Sequence, residues 1–293
     1  MSLRGYLLTA FSGDPDGVPD WVEAFAEGED EGYFGPESAV WAVHSATPVL
    51  VAGIRALLLQ TLHPGAMAGV HDWSRYREDP LGRLAGTVRW VMTTTFDDRA
   101  GAEGGSAFVR RLHTRVVGNY VDATGSPVPY AAGNPELLRW VHVVFAESFL
   151  SCHQAWVGDP PGGADAYVRE WAIAGELMGV EYPPRSEVEL RAQLAEFGPR
   201  LLADERVAEA VRFIHHPPLK RAVLPGYRVL FAGAVSTLPD DTLAMLGLRK
   251  PRWPARTATR AVLWGLGLLL GRPSASERYA RKRLVSLAAA TPS

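Results

Sequence analysis

Histidine carries most of the chemistry open to this sequence: His44, His63, His71, His113, His142, His153, His215 and His216 stand against a single cysteine, Cys152. One cysteine excludes an intramolecular disulfide and any cysteine cage for zinc or an iron–sulfur cluster. It fits a reducing compartment, so a cytoplasmic location is expected. His113 lies in "FVRRLHTRVVG", with Val109, Val116 and Val117 as apolar helical neighbours while Arg110, Arg111 and Arg115 can face elsewhere. A neutral imidazole on such a wall has one N–H and one lone pair to place. Two readings stand. One is a core histidine bonded to a backbone carbonyl. The other is a lone axial ligand to a haem iron, which needs only one histidine on an apolar wall.

His142, among Leu138, Phe145 and Ala146, raises the same choice. The pair could instead share a non-haem metal with Glu147 as a carboxylate ligand, though no spacing here is diagnostic of one. Arg83 and Thr87 are four residues apart and share a helix face. A guanidinium and a hydroxyl projecting into an apolar pocket would suit a propionate or orient bound oxygen; a surface arginine and a packing threonine is the plainer reading. His63, at a helix end, reads as a cap or core contact. The familiar catalytic signatures are absent: there is no "GxSxG" elbow, no "GxxxxGK[ST]" phosphate loop, no "GxGxxG" turn and no "HExxH".

The elements that must position these residues are mainly helices, because the apolar stretches are longer than strands and break at Gly and Pro. "ESAVWAVHS" and "PVLVAGIRALLLQTL" read as two helical pieces separated at Pro48. The second is apolar nearly all round and should be central. A short helix "GAMAGV" is expected next, inside the connector "LHPGAMAGVHDWSRYREDP". Asp79 and Pro80 open a helix through "LGRLAGTVRWVMTTTF", with Leu84, Val88, Val91 and Thr95 on one face. A helix over 101–117 carries His113. "GNYVDATGSPVPYAAGN" is a loop with a small hairpin at Thr124-Gly125, and Asn134-Pro135 opens the helix bearing His142. Further helices are expected over 165–178, stopping at Gly179, over 187–196 behind the capping box "SEVE", and near 204–214 and 225–238. The expected architecture is all-α, a single mostly helical domain over 33–293, preceded by a loosely held segment 1–32.

At 293 residues, 47% of them hydrophobic, the chain can bury a large core and is not disordered. The first residues, "MSLRGYLLTAFSGDPDG", lack an apolar core with a cleavage site, so no secretory leader is expected. The net charge of −2 hides an asymmetry: Arg249 to Arg283 holds ten Arg/Lys and one acid, Glu277, a local +9 against −11 elsewhere. Inside that basic tail lies "AVLWGLGLLLG", too short to span a bilayer. It is either a last core helix with solvated basic ends or a surface for an anionic membrane or a partner. The basic tail alone gives no case for nucleic-acid binding.

Four blocks in order, "FGPESAVWAVHSATPVLVAGIRALLLQTLHPGAMAGV", "SRYREDPLGRLAGTVRW", "RLHTRVVG" and "NPELLRWVHVVFAESFL", resemble the oxygenase family of MpaB and the rubber-cleaving latex clearing proteins. The likeness runs from about Tyr33 to Phe149 and continues more loosely to the C-terminal helices. It implies a haem b held in an all-helical domain with a globin-like core around the haem pocket. It also implies oxygen-dependent cleavage of carbon–carbon double bonds in a small apolar, isoprenoid-like substrate. By the resemblance His113 is the axial ligand, Arg83 and Thr87 lie beside the haem, and His142 matches a second family histidine, structural or near the haem. Where latex clearing proteins carry a lysine just before that threonine, able to occupy the far side of the iron, this chain has Gly86. None of its three lysines precedes Lys220, so an open distal site is expected. His63 and His71 then lie near the pocket without being ligands. The alternative is a non-catalytic haem or lipid-binding protein, peripheral to a membrane through 249–283.

Overall fold

The computed structural model describes residues 2–73 and 79–290. Fifteen α-helices and one two-stranded hairpin form a mostly all-α single domain among these residues. In chain order they are α1 (Leu3–Ser12), α2 (Asp20–Glu23), α3 (Ala39–Ser45), α4 (Val49–Gln60), α5 (Pro64–Trp73), α6 (Pro80–Phe96) and α7 (Arg99–His113). After them come β1 (Val117–Val121), β2 (Pro127–Ala131), α8 (Pro135–Trp156), α9 (Gly163–Met178), α10 (Glu187–Phe197) and α11 (Glu205–His215). The chain ends with α12 (Leu224–Thr237), α13 (Asp240–Met245), α14 (Ala255–Leu270) and α15 (Ala275–Ala290).

The all-round apolar α4 is central, packed by α3, α8, α11 and α12, with Val51, Ala52, Ala56 and Leu58 buried. Pro48 separates it from α3, and the two helices meet at a bend of 94°. Its one charge, Arg55, is buried and satisfied three ways: an ion pair with Glu147 of α8, Ser148 Oγ at 3.2 Å, and Thr237 Oγ1 of α12 at 3.1 Å. A charge in that position is tolerable because each of the three guanidinium nitrogens finds an acceptor. Glu147 is thereby committed to Arg55.

The expected starts are built as the sequence suggests. Asp79 Oδ1 accepts from Gly82 N at 2.9 Å, Asn134 Oδ1 from Glu136 N at 2.8 Å and Ser186 Oγ from Glu189 N at 3.2 Å. Gly179 ends α9 at φ 87°, a left-handed position that favours glycine. The connector 74–78, part of "LHPGAMAGVHDWSRYREDP", lies outside the described residues.

One expectation needs correction, and the N-terminal residues can be placed. Within 2–32, α1 packs on α6 and α14, and Val22 and Phe25 are buried. Buried Arg283 of α15 fastens this segment, donating to Phe25 O at 2.8 Å and Phe96 O at 2.9 Å. The helix expected over 101–117 ends at His113, because Val117 already pairs with Ala131 in the hairpin. That hairpin docks on α5, where Trp73 Nε1 donates to Val117 O at 2.8 Å and Tyr130 Oη to Asp72 Oδ2 at 3.0 Å.

His44 ties three helices. Thr95 Oγ1 of α6 donates to Val91 O at 2.7 Å, so it accepts from His44 Nδ1 of α3 at 2.7 Å. Nε2 is then left to accept from Tyr167 Oη of α9 at 3.2 Å. The imidazole is fixed as the neutral Nδ1–H tautomer, and burial pushes its pKa down to about 3.

Candidate functional site

Helices α6 and α7 form an antiparallel hairpin turning at Asp97-Asp98, and its register sets the site. Near the turn, a Cβ on Gly105 would come within 3.2 Å of Thr93 Cγ2, so glycine permits close approach. One turn further, Trp90 Nε1 donates to the buried Ser106 Oγ at 3.1 Å. Further from the turn, Arg83 lies near enough to His113 for its charge to act on the imidazole. On α7 the residues Ala102, Ser106, Val109 and His113 follow the helical period and share one stripe; on α6, Arg83, Thr87, Trp90 and Thr94 fall at the same spacing on one stripe.

The α6 stripe emerges from the core along its length: Thr94 is buried, Trp90 half-buried, Thr87 and Arg83 exposed. Around it Leu84, Ala85, Val88 and Val109 are half-buried, while Phe108 and Leu112 are 55% and 47% exposed. The open end of the hairpin therefore carries apolar side chains that the other described residues leave partly or largely exposed. A Cβ on Gly86 would meet nothing within 4 Å.

His113 is half-buried, and its Nδ1 is buried without a hydrogen-bond partner among the described residues. Desolvation lowers its pKa, and the nearby Arg83 charge lowers it further, so the imidazole is neutral. A neutral ring with a free nitrogen is what ligation requires. Arg83 is exposed, and although desolvation lowers its pKa, a guanidinium titrates so high that it stays charged. Thr87 Oγ1 makes only a long bond, 3.4 Å, to Arg83 O, which leaves its hydroxyl free to turn to another acceptor.

His142 is 7% exposed, and its ring lies on the α9 backbone at Gly175. A Cβ there would sit 2.9 Å from Cε1 and 3.1 Å from Nε2. Its Nε2 is buried and unpartnered among the described residues, and burial pushes the pKa down to about 4. The shared metal site that His113, His142 and Glu147 could have formed is not built: Glu147 engages Arg55, and among the described residues no three His, Cys, Asp or Glu side chains come together to hold a metal ion.

His63 acts as a cap and core contact: Nδ1 accepts from Gly65 N at 3.2 Å and the ring lies near Trp140 and Phe197. His71 Nδ1 is 3.0 Å from Asp72 Oδ1, at the end of α5. A concavity of about 590 Å³ lies between α9 and α10, lined by Glu176, Tyr182, Arg185, Gln193 and others, and none of the four expected site residues reaches it. Its position gives it no bearing on the histidine chemistry. Sequence reading missed Trp90, Ser106 and Gly175. The first two were findable, since each lies at helical spacing on the stripe of a residue already singled out.

The residues fit a haem in this structure's own terms: an orphaned imidazole nitrogen, a partly exposed apolar lining, an arginine for a propionate and free space at Gly86. No curated protein and no solved structure matches the chain. The family described as "ER-bound oxygenase mpaB/B'/Rubber oxygenase, catalytic domain" matches residues 41–272, which span α3 to α14 and include the α6–α7 hairpin. The chain therefore belongs to the mpaB/rubber oxygenase family.

Proposed function

We propose that the protein is a haem b-dependent oxygenase acting with O2 on a small apolar, unsaturated, isoprenoid-like substrate. The observation that carries this reading is the buried Nδ1 of a neutral His113, unpartnered among the described residues and near Arg83 at the partly exposed apolar end of the α6–α7 hairpin. Haem b, when bound, supplies an iron at which oxygen can be activated. His113 would hold the iron. Arg83, charged and exposed, would orient a propionate carboxylate by charge-assisted hydrogen bonding. Thr87 would offer its loosely held hydroxyl beside the reacting oxygen, and Leu84, Val88, Phe108 and Leu112 would bind the apolar chain and exclude water. His142, buried against Gly175 with a free Nε2, would stand as a second imidazole near the pocket. A globin-like arrangement of helices around the haem and a cytoplasmic location belong to the same proposal.

The test is oxygen consumption by haem-reconstituted protein given an unsaturated isoprenoid alcohol, with products analysed for new carbonyl groups. Thr87→Val and Arg83→Gln should each lower turnover about ten-fold or more, as losing one positioned donor does. A normal haem spectrum with no oxygen uptake over a range of polyenes would favour the non-catalytic binding protein instead.

A further inference from the structure

We propose that the outer face of α14 docks on an anionic lipid surface. This goes beyond the oxygenase reading and does not depend on it. The inner face of α14 is fully used: Ala255, Thr259, Leu263 and Gly267, four residues apart, are buried against the body, and Thr259 Oγ1 donates to Val229 O of α12 at 3.1 Å. The opposite face is Thr257, Arg260, Ala261, Trp264, Gly265 and Leu268, all exposed. Trp264 is 68% and Leu268 66% exposed, the costliest place for large apolar groups in water.

Between Arg260 and Arg272 the chain carries no charged or hydrogen-bonding side chain other than the Trp264 indole. Arg260, exposed on this face one turn before Trp264, is its cation, while Arg256 and Arg272 are tied to the body, the Arg272 guanidinium lying against Gly267 of the inner face. Arg256 is held at the first turn by Ser236 O at 3.3 Å, and Arg272 just past the last turn by Thr47 Oγ1. From Asp241 to Glu277 the sequence contains Arg249, Lys250, Arg252, Arg256, Arg260 and Arg272 and no intervening acid. Among the described residues only Lys250 of that basic run is ion-paired, with Asp240 at 2.8 Å. An apolar strip with an interfacial tryptophan and an exposed arginine, behind such a run, matches the boundary between acyl chains and anionic headgroups, with α14 lying along it. Spanning is ruled out for α14 by length, and among the described residues no single helix is long and apolar enough to cross a membrane.

The experiment is co-sedimentation of the full chain with vesicles of phosphatidylglycerol and phosphatidylcholine in equal parts, or of phosphatidylcholine alone, at low and high salt. Binding is expected to the mixed vesicles at low salt, to weaken as salt rises, and to be absent with phosphatidylcholine alone. Trp264→Ser/Leu268→Ser, both at exposed positions, should weaken partitioning about ten-fold or more. Arg260→Gln should weaken it about five-fold, the effect of one charge near the surface. Val285→Ser on α15, where Val285 is exposed to a similar degree, should change nothing. The proposal is overturned if the wild type stays in the supernatant, if the double variant binds like the wild type, or if Val285→Ser is equally damaging. It is also overturned if the wild type is a dimer that Trp264→Ser/Leu268→Ser converts to monomer, which would make the face a contact between copies.

Discussion

Acid should destabilise this protein well above the pH at which carboxylates protonate, because buried imidazoles must be neutral for the fold to close. His44 is 2% exposed with its pKa at about 3, and His142 is 7% exposed with its pKa at about 4, both held down by burial. Unfolded, each returns to about 6.5, so below that pH the unfolded chain binds protons the folded chain refuses. Stability is therefore lost as pH falls from 6.5 towards the folded values. Between pH 6.5 and 5 each histidine contributes a loss of roughly 1.6 kcal/mol. Asp97 works the other way: burial raises its pKa to about 6, so the folded chain takes up a proton first and regains roughly 1.2 kcal/mol over that interval. These three groups together give a loss of about 2 kcal/mol, a large share of the stability of an ordinary domain. Burial of His63 and His153, which lowers their pKa as well, adds to it in the same direction. Urea denaturation followed by circular dichroism at both pH values measures it. His44→Gln, which cannot titrate, should cut the loss by about 1.6 kcal/mol, whereas Asp97→Asn should raise it by about 1.2 kcal/mol. A pH dependence unchanged by His44→Gln would refute the reasoning.

Trp90→Phe keeps an aromatic ring but strands the buried Ser106 hydroxyl, and should cost about 1–2 kcal/mol in urea denaturation. Because that bond sets the α6–α7 register, haem affinity, measured by titration of the reconstituted protein, should fall as well. Gly175→Ala gains helix propensity but drives a methyl into the His142 ring, a net loss of about 1–2 kcal/mol; unchanged stability would mean that the ring is not packed there. Gly86→Lys, with open space around its Cβ, should leave stability within about 1 kcal/mol of wild type while shifting the ferrous visible spectrum towards six-coordination.

Much of this fold was legible because local chemistry and tertiary structure agree. Asp79, Asn134, Ser186 and Gly179 sit where caps and stops belong, and the mostly apolar surface of α4 placed it at the centre. The packing of the N-terminal segment was not legible. Its Gly and Asp content reads as loop, and what anchors it is Arg283, more than 250 residues away, reaching Phe25 O. The end of α7 was missed for a similar reason: Val116 and Val117 continue the apolar period, but the hairpin recruits Val117 as a strand residue. At the site, types and spacing singled out His113, Arg83 and Thr87, whereas the register of the hairpin that carries them depends on Trp90, Ser106 and Gly105 across two helices. Glu147 shows the limit of type alone, since a carboxylate eligible for a metal is instead the counter-ion of Arg55.

The central claim is that His113 holds a haem iron, and the visible spectrum tests it most directly. Purified protein reconstituted with haem b should give a Soret band, and His113→Ala should lose most of it while its circular dichroism and urea midpoint stay close to wild type, since the ring is only half-buried and its Nδ1 bonds nothing among the described residues. A colourless wild type after reconstitution, or a His113→Ala variant that keeps full haem affinity and an unaltered spectrum, would contradict the account.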